Sequence, residues 1–186
     1  MIIATTGRLV LREAVPGDAA FMLELMNEPP WRAFIARHSI TTISRAAKYM
    51  EDKMMSAYAR HGFGLWVVEI LSSSMTAGIC GLVKRGTLEH ADLGFAFLGE
   101  FWGQGYALEA CRAVLEYAAR RLEMAKVLAI TDPGNRRSIH VLDKLGFRYE
   151  STFSHPGANE ILSLYAIESL GPGADPECRA GWTHER

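Results

Sequence analysis

Two glycines separated by one residue stand where an apolar run gives way to a long helical pattern. Residues 100–110 read EFWGQGYALEA. A strand that ends in a glycine turn and continues into a helix points several backbone N–H groups in one direction, and the helix N-terminus adds a partial positive charge. Glycine also lets the backbone approach a ligand closely. The stretch therefore has the chemistry of a loop that holds phosphate oxygens without a lysine.

This loop alone does not identify the phosphate. A P-loop requires Gly-Lys-Ser/Thr at the helix start, whereas Gly105 is followed by Tyr106 and Ala107, which excludes that motif. The dinucleotide fingerprint GxGxxG requires a third glycine where this chain has Leu108. An ordinary tight turn between a strand and a helix, with glycines there only for geometry, stays open at this point.

Length and charge limit the class of protein. The 186 residues are 49% hydrophobic, which suits one compact domain with a core. The formal net charge of -1 predicts no nucleic-acid surface, since such a surface needs a clustered basic excess. We expect no membrane partner, because no apolar run approaches the length of a bilayer span and the start lacks the pattern of a signal peptide.

Cysteine usage indicates a reducing, cytoplasmic setting. Cys80, Cys111 and Cys178 are odd in number, scattered and not arranged as CxxC. Cys80 and Cys111 lie in apolar patterns and are predicted to be core residues. The sequence has no HExxH and no other metal-ligand spacing, so we predict no metal.

Hydrophobic periodicity predicts the element order β-α-α-β-β-β-α-β-α-β-β. The first strand alternates at residues 8–12, Pro29 and Pro30 end the first helix, and the second helix begins near Thr42 or Ser44 and ends at Gly62. Short links between the strands predicted at 65–71, 76–83 and 91–98 indicate an antiparallel meander. The glycine loop lies at the centre of the one clear β-α-β crossover. We therefore predict an α+β domain over residues 1–170, with a mixed, mostly antiparallel sheet flanked by helices. Residues 171–186 are rich in turn formers and are predicted to form a C-terminal tail.

A second segment, residues 135–147, follows the loop, its helix and one strand. It reads as NxxSxxxLxKLGF. With this segment the chain resembles the GNAT N-acetyltransferase superfamily, and within it the branch of RimJ/RimL-type ribosomal-protein N-terminal acetyltransferases. The resemblance runs from RLVLRE near the start to LSLYAIE at 162–168 and covers nearly the whole chain apart from the tail. It implies the GNAT fold, with a β-α-β core that binds acetyl-CoA as cosubstrate.

The resemblance also implies the cofactor site. The superfamily's pyrophosphate loop, Arg/Gln-x-x-Gly-x-Gly/Ala, falls on Trp102, Gly103, Gln104, Gly105, Tyr106 and Ala107. Because Trp102 replaces the usual Arg or Gln, we expect this loop to rely on backbone donors. The pantetheine arm is expected along the strand that ends at Leu98, with the amides of Phe97 and Leu98 as oxyanion donors.

Two residues of the second segment are implied to meet the cofactor. Asn135 would contact pantetheine, or serve only as a turn or helix cap. Ser138 would lie near the thioester sulfur, or be only a first-turn helix residue. Leu142 stands where the family often has a tyrosine that acts as the general acid. Its absence leaves Ser138 or a water molecule to protonate the leaving thiolate.

The amine must be neutral to attack the thioester, which ranks the acceptors. An α-amine has a pKa of about 8 and a lysine side chain about 10.4. Removing the proton from the lysine at the same pH therefore costs about 3 kcal/mol more. The resemblance implies Asp92 as the first candidate base, because many family members have a glutamate in the corresponding strand. Asp92 is one methylene shorter, so it is expected to act through water or only to orient the amine. Its alternative is a solvated acid at a strand edge. Glu89 and His90 just before it fit a turn better.

The acceptor is expected to contact residues 27–37, which line the acceptor groove in this family, with Trp31 and Phe34 as candidate contacts or as packing residues. The first expectation is acetylation of a protein N-terminal α-amine, for instance of a ribosomal protein. The alternatives are a small-molecule amine (a polyamine, an aminoglycoside or an amino acid) and a non-catalytic acyl-CoA-binding module. The protein is expected to be a monomer or a homodimer.

Overall fold

The computed structural model describes residues 1–35, 40–154 and 161–168, and these form one eight-stranded sheet with helices packed on it. The strands are β1 (Ile2–Thr5), β2 (Leu9–Arg12), β3 (Leu65–Ile70), β4 (Thr76–Val83), β5 (Asp92–Phe97), β6 (Lys126–Thr131), β7 (Arg148–Ser154) and β8 (Ile161–Glu168). The helices are α1 (Ala19–Asn27), α2 (Pro29–Phe34), α3 (Ile43–Met50), α4 (Ser56–His61), α5 (Tyr106–Arg121) and α6 (Arg136–Leu145). The predicted α+β class with a mixed sheet is confirmed. The predicted tail, 171–186, lies outside the described residues.

The sheet runs in the order β1-β2-β3-β4-β5-β6-β8-β7. Strands β1 to β5 pair antiparallel in succession, β6 pairs parallel with β5, and β8 pairs antiparallel with both β6 and β7. The predicted meander and β-α-β crossover are therefore both present. Strand β1 was not predicted, because its four residues, IIAT, do not alternate between apolar and polar types. It is a short strand at the edge of the sheet, and Ile2 is 66% exposed.

The register of the strands assigns side chains to the two faces of the sheet, since residues directly opposite one another point to the same face. Cys80 on β4 contacts Cys111 on α5, with 3.6 Å between the sulfurs, and Cys80 lies opposite Phe95. Both cysteines are buried, as predicted. Phe95 and Phe97 therefore share the α5 face of β5. Asp92 is three residues before Phe95, so its side chain points to the opposite face of the sheet.

Helices α1 to α4 cover that opposite face. Arg12 on β2 shares this face through the register of the strands, and its guanidinium binds Asp18, the residue just before α1, at 2.7 Å. The prediction that Pro29 and Pro30 end the first helix is right, but the two prolines also begin α2. Proline suits the first helical positions because the missing N–H has no partner there.

The second predicted helix, capped by Thr42 and ended by Gly62, is present with an interruption. Thr42 accepts a hydrogen bond from the Arg45 amide, and Gly62 has the left-handed φ of 75° that ends a helix. Between α3 and α4 the chain forms a π-helical segment, Glu51–Met55. The helical face that packs on the core continues through this segment. Met50 and Met54 remain in the core.

Strands β5 and β6 part soon after they meet. Within the described residues they share one register pair, Asp92 with Leu128, and the Leu128 amide donates to the Ala91 carbonyl at 2.9 Å. Beyond that pair, β5 runs on to Phe97 while β6 diverges. The fold therefore contains a wedge-shaped gap in the middle of the sheet, open at the carboxyl ends of two parallel strands.

Candidate active site

The open end of the gap is bordered by the glycine loop. After β5 the chain makes one 3-10 turn, Gly99–Phe101, and enters α5 through Gly103 and Gly105. These two glycines have φ of 73° and 82°, in the left-handed region that costs other residues about 1–2 kcal/mol. The turn requires both glycines, and it leaves the first amides of the 16-residue α5 facing outward.

The carboxyl ends of parallel strands meet at one edge of a sheet, so the helices that follow them begin near one another. Helix α5 follows β5, and α6 follows β6. The two segments that the sequence singled out, the glycine loop and the Asn135 segment, are thus placed on the two sides of the same opening. A phosphate at this opening would meet two helix N-termini.

Backbone groups of β5 line the gap. The Leu98 amide donates to the Ala77 carbonyl on the β4 side at 3.0 Å. Because amide directions alternate along a strand, the amides of Phe97 and Phe95 point away from β4, towards the side from which β6 has diverged. Of the two amides expected to serve as oxyanion donors, that of Leu98 is already bonded to β4, and that of Phe97 faces the gap.

Trp102 is fixed across the mouth of the gap. Its indole Nε1 donates to the Phe97 carbonyl at 2.8 Å, and this hydrogen bond ties the glycine loop to the end of β5. The guanidinium carbon of Arg137, in the first turn of α6, lies 4.4 Å from the centre of the indole ring. Trp102 therefore bridges the β5 side of the opening and the α6 side.

A second arginine holds the loop from its other side. Arg8, just before β2, donates to the Gln104 carbonyl at 2.9 Å and pairs with Glu109 on α5 at 2.6 Å. Glu109 also accepts from the Thr6 hydroxyl at 2.6 Å. Burial raises the pKa of Glu109, but the hydrogen bonds from Thr6 and Arg8 outweigh it and lower the pKa below its ordinary value. Sequence reasoning missed this anchor, because its partners are a hundred residues apart and neither has a distinctive local pattern.

On the α6 side, Asn135 acts as the helix cap. Its side-chain oxygen accepts from the Ser138 amide at 3.2 Å, while its Nδ2 has no partner among the residues that the structure describes. Ser138 is half-buried in the first turn. Leu142, at the position of the family's tyrosine, is buried in the core and packs rather than reacts. The cap uses only the side-chain oxygen, so the side-chain Nδ2 of Asn135 is able to donate to a ligand.

Asp92 lies where β5 and β6 part, on the face covered by α1 to α4. It is 1% exposed, which excludes the alternative of a solvated acid at a strand edge. Arg85, in the link from β4 to β5, donates through Nε to the Asp92 carboxylate at 2.9 Å. Burial raises the pKa of Asp92 above its ordinary value, and the charge and hydrogen bond of Arg85 oppose that rise. A buried carboxyl whose pKa is raised is a candidate for a functional site.

The predicted acceptor segment reaches the same region. Glu28, between α1 and α2, accepts from the Gly99 amide at 3.4 Å, so the α1–α2 junction abuts the end of β5. Trp31 is 3% exposed, whereas Phe34 is 39% exposed. The remaining part of the segment, 36–37, lies outside the described residues.

Trp31 packs edge-on against Tyr49 of α3, with ring centres 6.1 Å apart. Its indole Nε1 is buried and has no hydrogen-bond partner within residues 1–35, 40–154 and 161–168. Burial raises the pKa of Tyr49, and the nearby positive charge of Arg85 offsets part of that rise. Tyr49 therefore packs against Trp31 and lies within the electrostatic influence of Arg85. Neither Tyr49 nor Arg85 had been singled out from the sequence.

No helix in the described part of the chain has both the length and the apolar character to cross a membrane. Those same residues contain no group of three or more potential metal-ligating side chains.

The profile of the acetyltransferase (GNAT) domain matches residues 8–148. The chain belongs to the GNAT acetyltransferase family. Over 111 residues it is 36% identical to the uncharacterised protein YkkB of Bacillus subtilis, an alignment that covers 59% of this chain and 63% of YkkB. The chain thus spans less than two thirds of that relative. Over 174 residues it is 27% identical to the FsC-acetyl coenzyme A-N(2)-transacetylase of Aspergillus fumigatus, covering 87% of this GNAT chain and 74% of that enzyme.

Solved structures of the family share the fold. The structure of RimL, the ribosomal L7/L12 alpha-N-protein acetyltransferase in complex with coenzyme A, superposes with a TM-score of 0.76 and 19% identity. The match covers 94% of this chain and 100% of RimL. At that identity the likeness shows the GNAT fold and leaves the acceptor open.

Replacing Glu109 by Gln tests the anchor of the glycine loop. The substitution removes the charge that Arg8 and Thr6 bind, so we expect a loss of about 1–2 kcal/mol in the free energy of unfolding at pH 7. The lowered pKa of Glu109 means that this stabilisation is present above the ordinary glutamate pKa and is lost as the pH falls through the lower folded value. Denaturant unfolding of both proteins between pH 3 and 7 should show the difference closing at the acidic end.

The matched control for this prediction is Glu116→Gln on the same helix. Glu116 forms an exposed pair with Arg120 one turn away, at 3.1 Å, and such pairs contribute about 0.5 kcal/mol or less. A Glu109→Gln loss that equals the control, or that does not change with pH, contradicts the anchor.

Proposed function

We propose that this GNAT protein transfers an acetyl group from acetyl-CoA directly to a primary amine. The observation that carries the proposal is the gap between β5 and β6, with backbone amides of Phe95 and Phe97 facing it and the glycine loop at its open end. Unpaired backbone groups in a protein interior require a partner. An extended amide-containing chain such as pantetheine supplies one in the manner of an added strand.

In this proposal the pyrophosphate of acetyl-CoA lies on the amides from Gly103 to Ala107. Pantetheine then runs from the loop along β5 towards Asp92, with the Nδ2 of Asn135 donating to it from the α6 side. The geometry supports this direction, because the gap narrows from the loop to the Asp92–Leu128 pair. The thioester then lies inside the gap, alongside β5.

The acetyl transfer needs stabilisation of negative charge on the thioester oxygen. The Phe97 amide is the donor that we assign, since the Leu98 amide is bonded to β4. Attack by a neutral amine forms the C–N bond and breaks the C–S bond, and the amine's proton must leave. In this proposal Ser138, or a water molecule beside it, protonates the departing thiolate.

Asp92 is the proposed base for that proton, and in this proposal it acts through water, because it lies five residues along β5 from Phe97. It is at the narrow end of the gap, on the side of the sheet that the acceptor segment covers. Arg85 donates to one oxygen of its carboxylate at 2.9 Å. A carboxyl of this kind suits an α-amine, about a tenth of which is neutral at pH 7, far better than a lysine side chain.

The acceptor that we propose first is the N-terminal α-amine of a protein, as the resemblance to RimJ/RimL-type enzymes implies. The buried Nε1 of Trp31, which has no partner in the part of the chain that the structure describes, supports it, because a peptide carries a carbonyl oxygen near its α-amine and a polyamine carries none. Phe34 offers an exposed apolar contact beside it. The relationship to RimL in fold agrees with this assignment and does not decide it.

A small-molecule amine is the second candidate. The observation in its favour is the 27% identity to the FsC N(2)-transacetylase, which extends over most of both chains. A non-catalytic acyl-CoA-binding module is the third reading, and it would retain the gap and the loop without using Asp92.

The three readings separate in one assay of thiol release from acetyl-CoA. The panel contains a peptide with a free N-terminus, the same peptide with a blocked N-terminus, a polyamine, an aminoglycoside and an amino acid. We expect CoA release with the free peptide and none with its blocked form. Release only with a small amine would favour the second candidate. CoA binding without release from any amine would reject catalysis.

Substitution of the Asp92–Arg85 pair tests the base. With the acceptor found above, Asp92→Asn should lower kcat/KM by about 100-fold or more and abolish the acidic limb of its pH profile. Arg85→Gln removes the neighbouring positive charge, so the pKa of Asp92 should rise and that limb should move to higher pH. Thermal unfolding of both variants serves as the control for stability. Parallel losses of activity and stability, with pH profiles of unchanged shape, would show that the pair only holds the fold together.

A further inference from the structure

The glycine loop has no cation of its own. Residues 99–107 read GEFWGQGYA and contain neither lysine nor arginine. Two arginines from other elements flank the loop, Arg8 on one side and Arg137 on the other. Arg8 is neutralised, because Glu109 binds its guanidinium through both Nε and Nη2. Arg137 is different: among the described residues it forms no ion pair and no hydrogen bond.

Arg137 is nevertheless held in place. Its guanidinium lies over the Trp102 indole at 4.4 Å, and the indole is fixed by its own hydrogen bond to the Phe97 carbonyl. Cation–π contact of this kind orients an exposed arginine while it uses only the face of the guanidinium. All five N–H donors, which lie in the guanidinium plane, stay available to an anion.

The position of Arg137 on α6 is unfavourable without an anion. Arg136 and Arg137 are the first two residues of the helix, and its first turn contains no acidic residue. Cations at a helix N-terminus oppose the helix dipole, typically by about 0.3–1 kcal/mol each. Local conflicts of this sort are characteristic of functional sites, where a ligand resolves them.

We propose that Arg137, oriented by Trp102, is the side-chain cation that binds a phosphate group of the acetyl-CoA cosubstrate. The inference rests on the proposed function, since it assigns a residue to the same cofactor site. Trp102 then acts as a positioning residue, and the guanidinium fork supplies bidentate contacts that the backbone of the loop alone cannot give. The pyrophosphate and the 3′-phosphate share this chemistry, and the experiment distinguishes them.

The test is the affinity for CoA and for 3′-dephospho-CoA, measured by titration calorimetry on the wild type and on Arg137→Ala. Loss of a charge-assisted contact predicts about tenfold weaker binding of CoA. The loss should shrink as salt is raised, because ions screen an exposed charge. An equal loss with 3′-dephospho-CoA assigns the contact to the pyrophosphate. A loss that disappears with 3′-dephospho-CoA assigns it to the 3′-phosphate.

Arg136→Ala is the matched control, since it removes the neighbouring charge from the same helix turn but not the one that lies on Trp102. We expect it to change the CoA affinity by less than about twofold. Trp102→Leu, alone and combined with Arg137→Ala, should show coupling: once the indole is gone, removing Arg137 costs much less.

Equal effects of the two arginine substitutions, or an Arg137→Ala protein that binds CoA as tightly as the wild type, would overturn the proposal. A wild-type protein that binds no CoA would instead reject the proposed function itself. The two failures are therefore distinguishable in the same titrations.

Discussion

The separation of β5 from β6 after the single pair of Asp92 and Leu128 is the constraint on which the rest of the structure depends. Two parallel strands that paired along their whole length would hydrogen-bond their backbone groups to each other and leave no gap between them. Because β6 diverges, the amides of Phe95 and Phe97 face a gap inside the sheet, where backbone groups need partners. The same divergence sets α5 and α6 on the two sides of one opening. The loop, the α6 cap and the candidate base are all placed by this one departure from regular pairing.

The charges around the gap form two neutral pairs, and two arginines at the start of α6, Arg136 and Arg137, have no ion pair among the described residues. The pair of Arg8 and Glu109 fixes the outside of the glycine loop, and the pair of Arg85 and Asp92 occupies the narrow end of the gap. The first pair joins residues 101 positions apart in the sequence, and the second ties the β4–β5 link to the start of β5. Of the two arginines at the start of α6, Arg137 is the one whose guanidinium lies over the Trp102 indole. A chain with a formal net charge of -1 thus has a local positive charge beside the proposed cofactor site.

Local patterns in the sequence predicted most of the elements and the β-α-β crossover, but not the contacts across the opening. Alternation at Leu9 and Leu11 and the glycines of the loop are visible within a few residues, and the structure has both. At Asn135 the structure has the helix cap that the sequence analysis gave as the alternative, and the contact with pantetheine stays a prediction. The edge strand β1 has no alternation, and the start of α2 coincides with the prolines that end α1. The partners of Asp92, Glu109 and Trp102 come from other elements, so no periodicity could reveal them. The hydrogen bond that commits the Leu98 amide to β4 follows from register, which is a property of the whole sheet.

The most direct measurement of the central claim is a titration of the protein with CoA followed by the backbone amide signals in proton–nitrogen correlation spectra. If the cofactor lies in the gap, the amides of Phe95, Phe97, Gly103 and Gly105 should shift strongly. The amides of Gly94 and Ala96, which face β4, should shift much less. Saturable binding with the largest shifts elsewhere, or equal shifts for both sets of β5 amides, would contradict the assignment of the gap as the acetyl-CoA site.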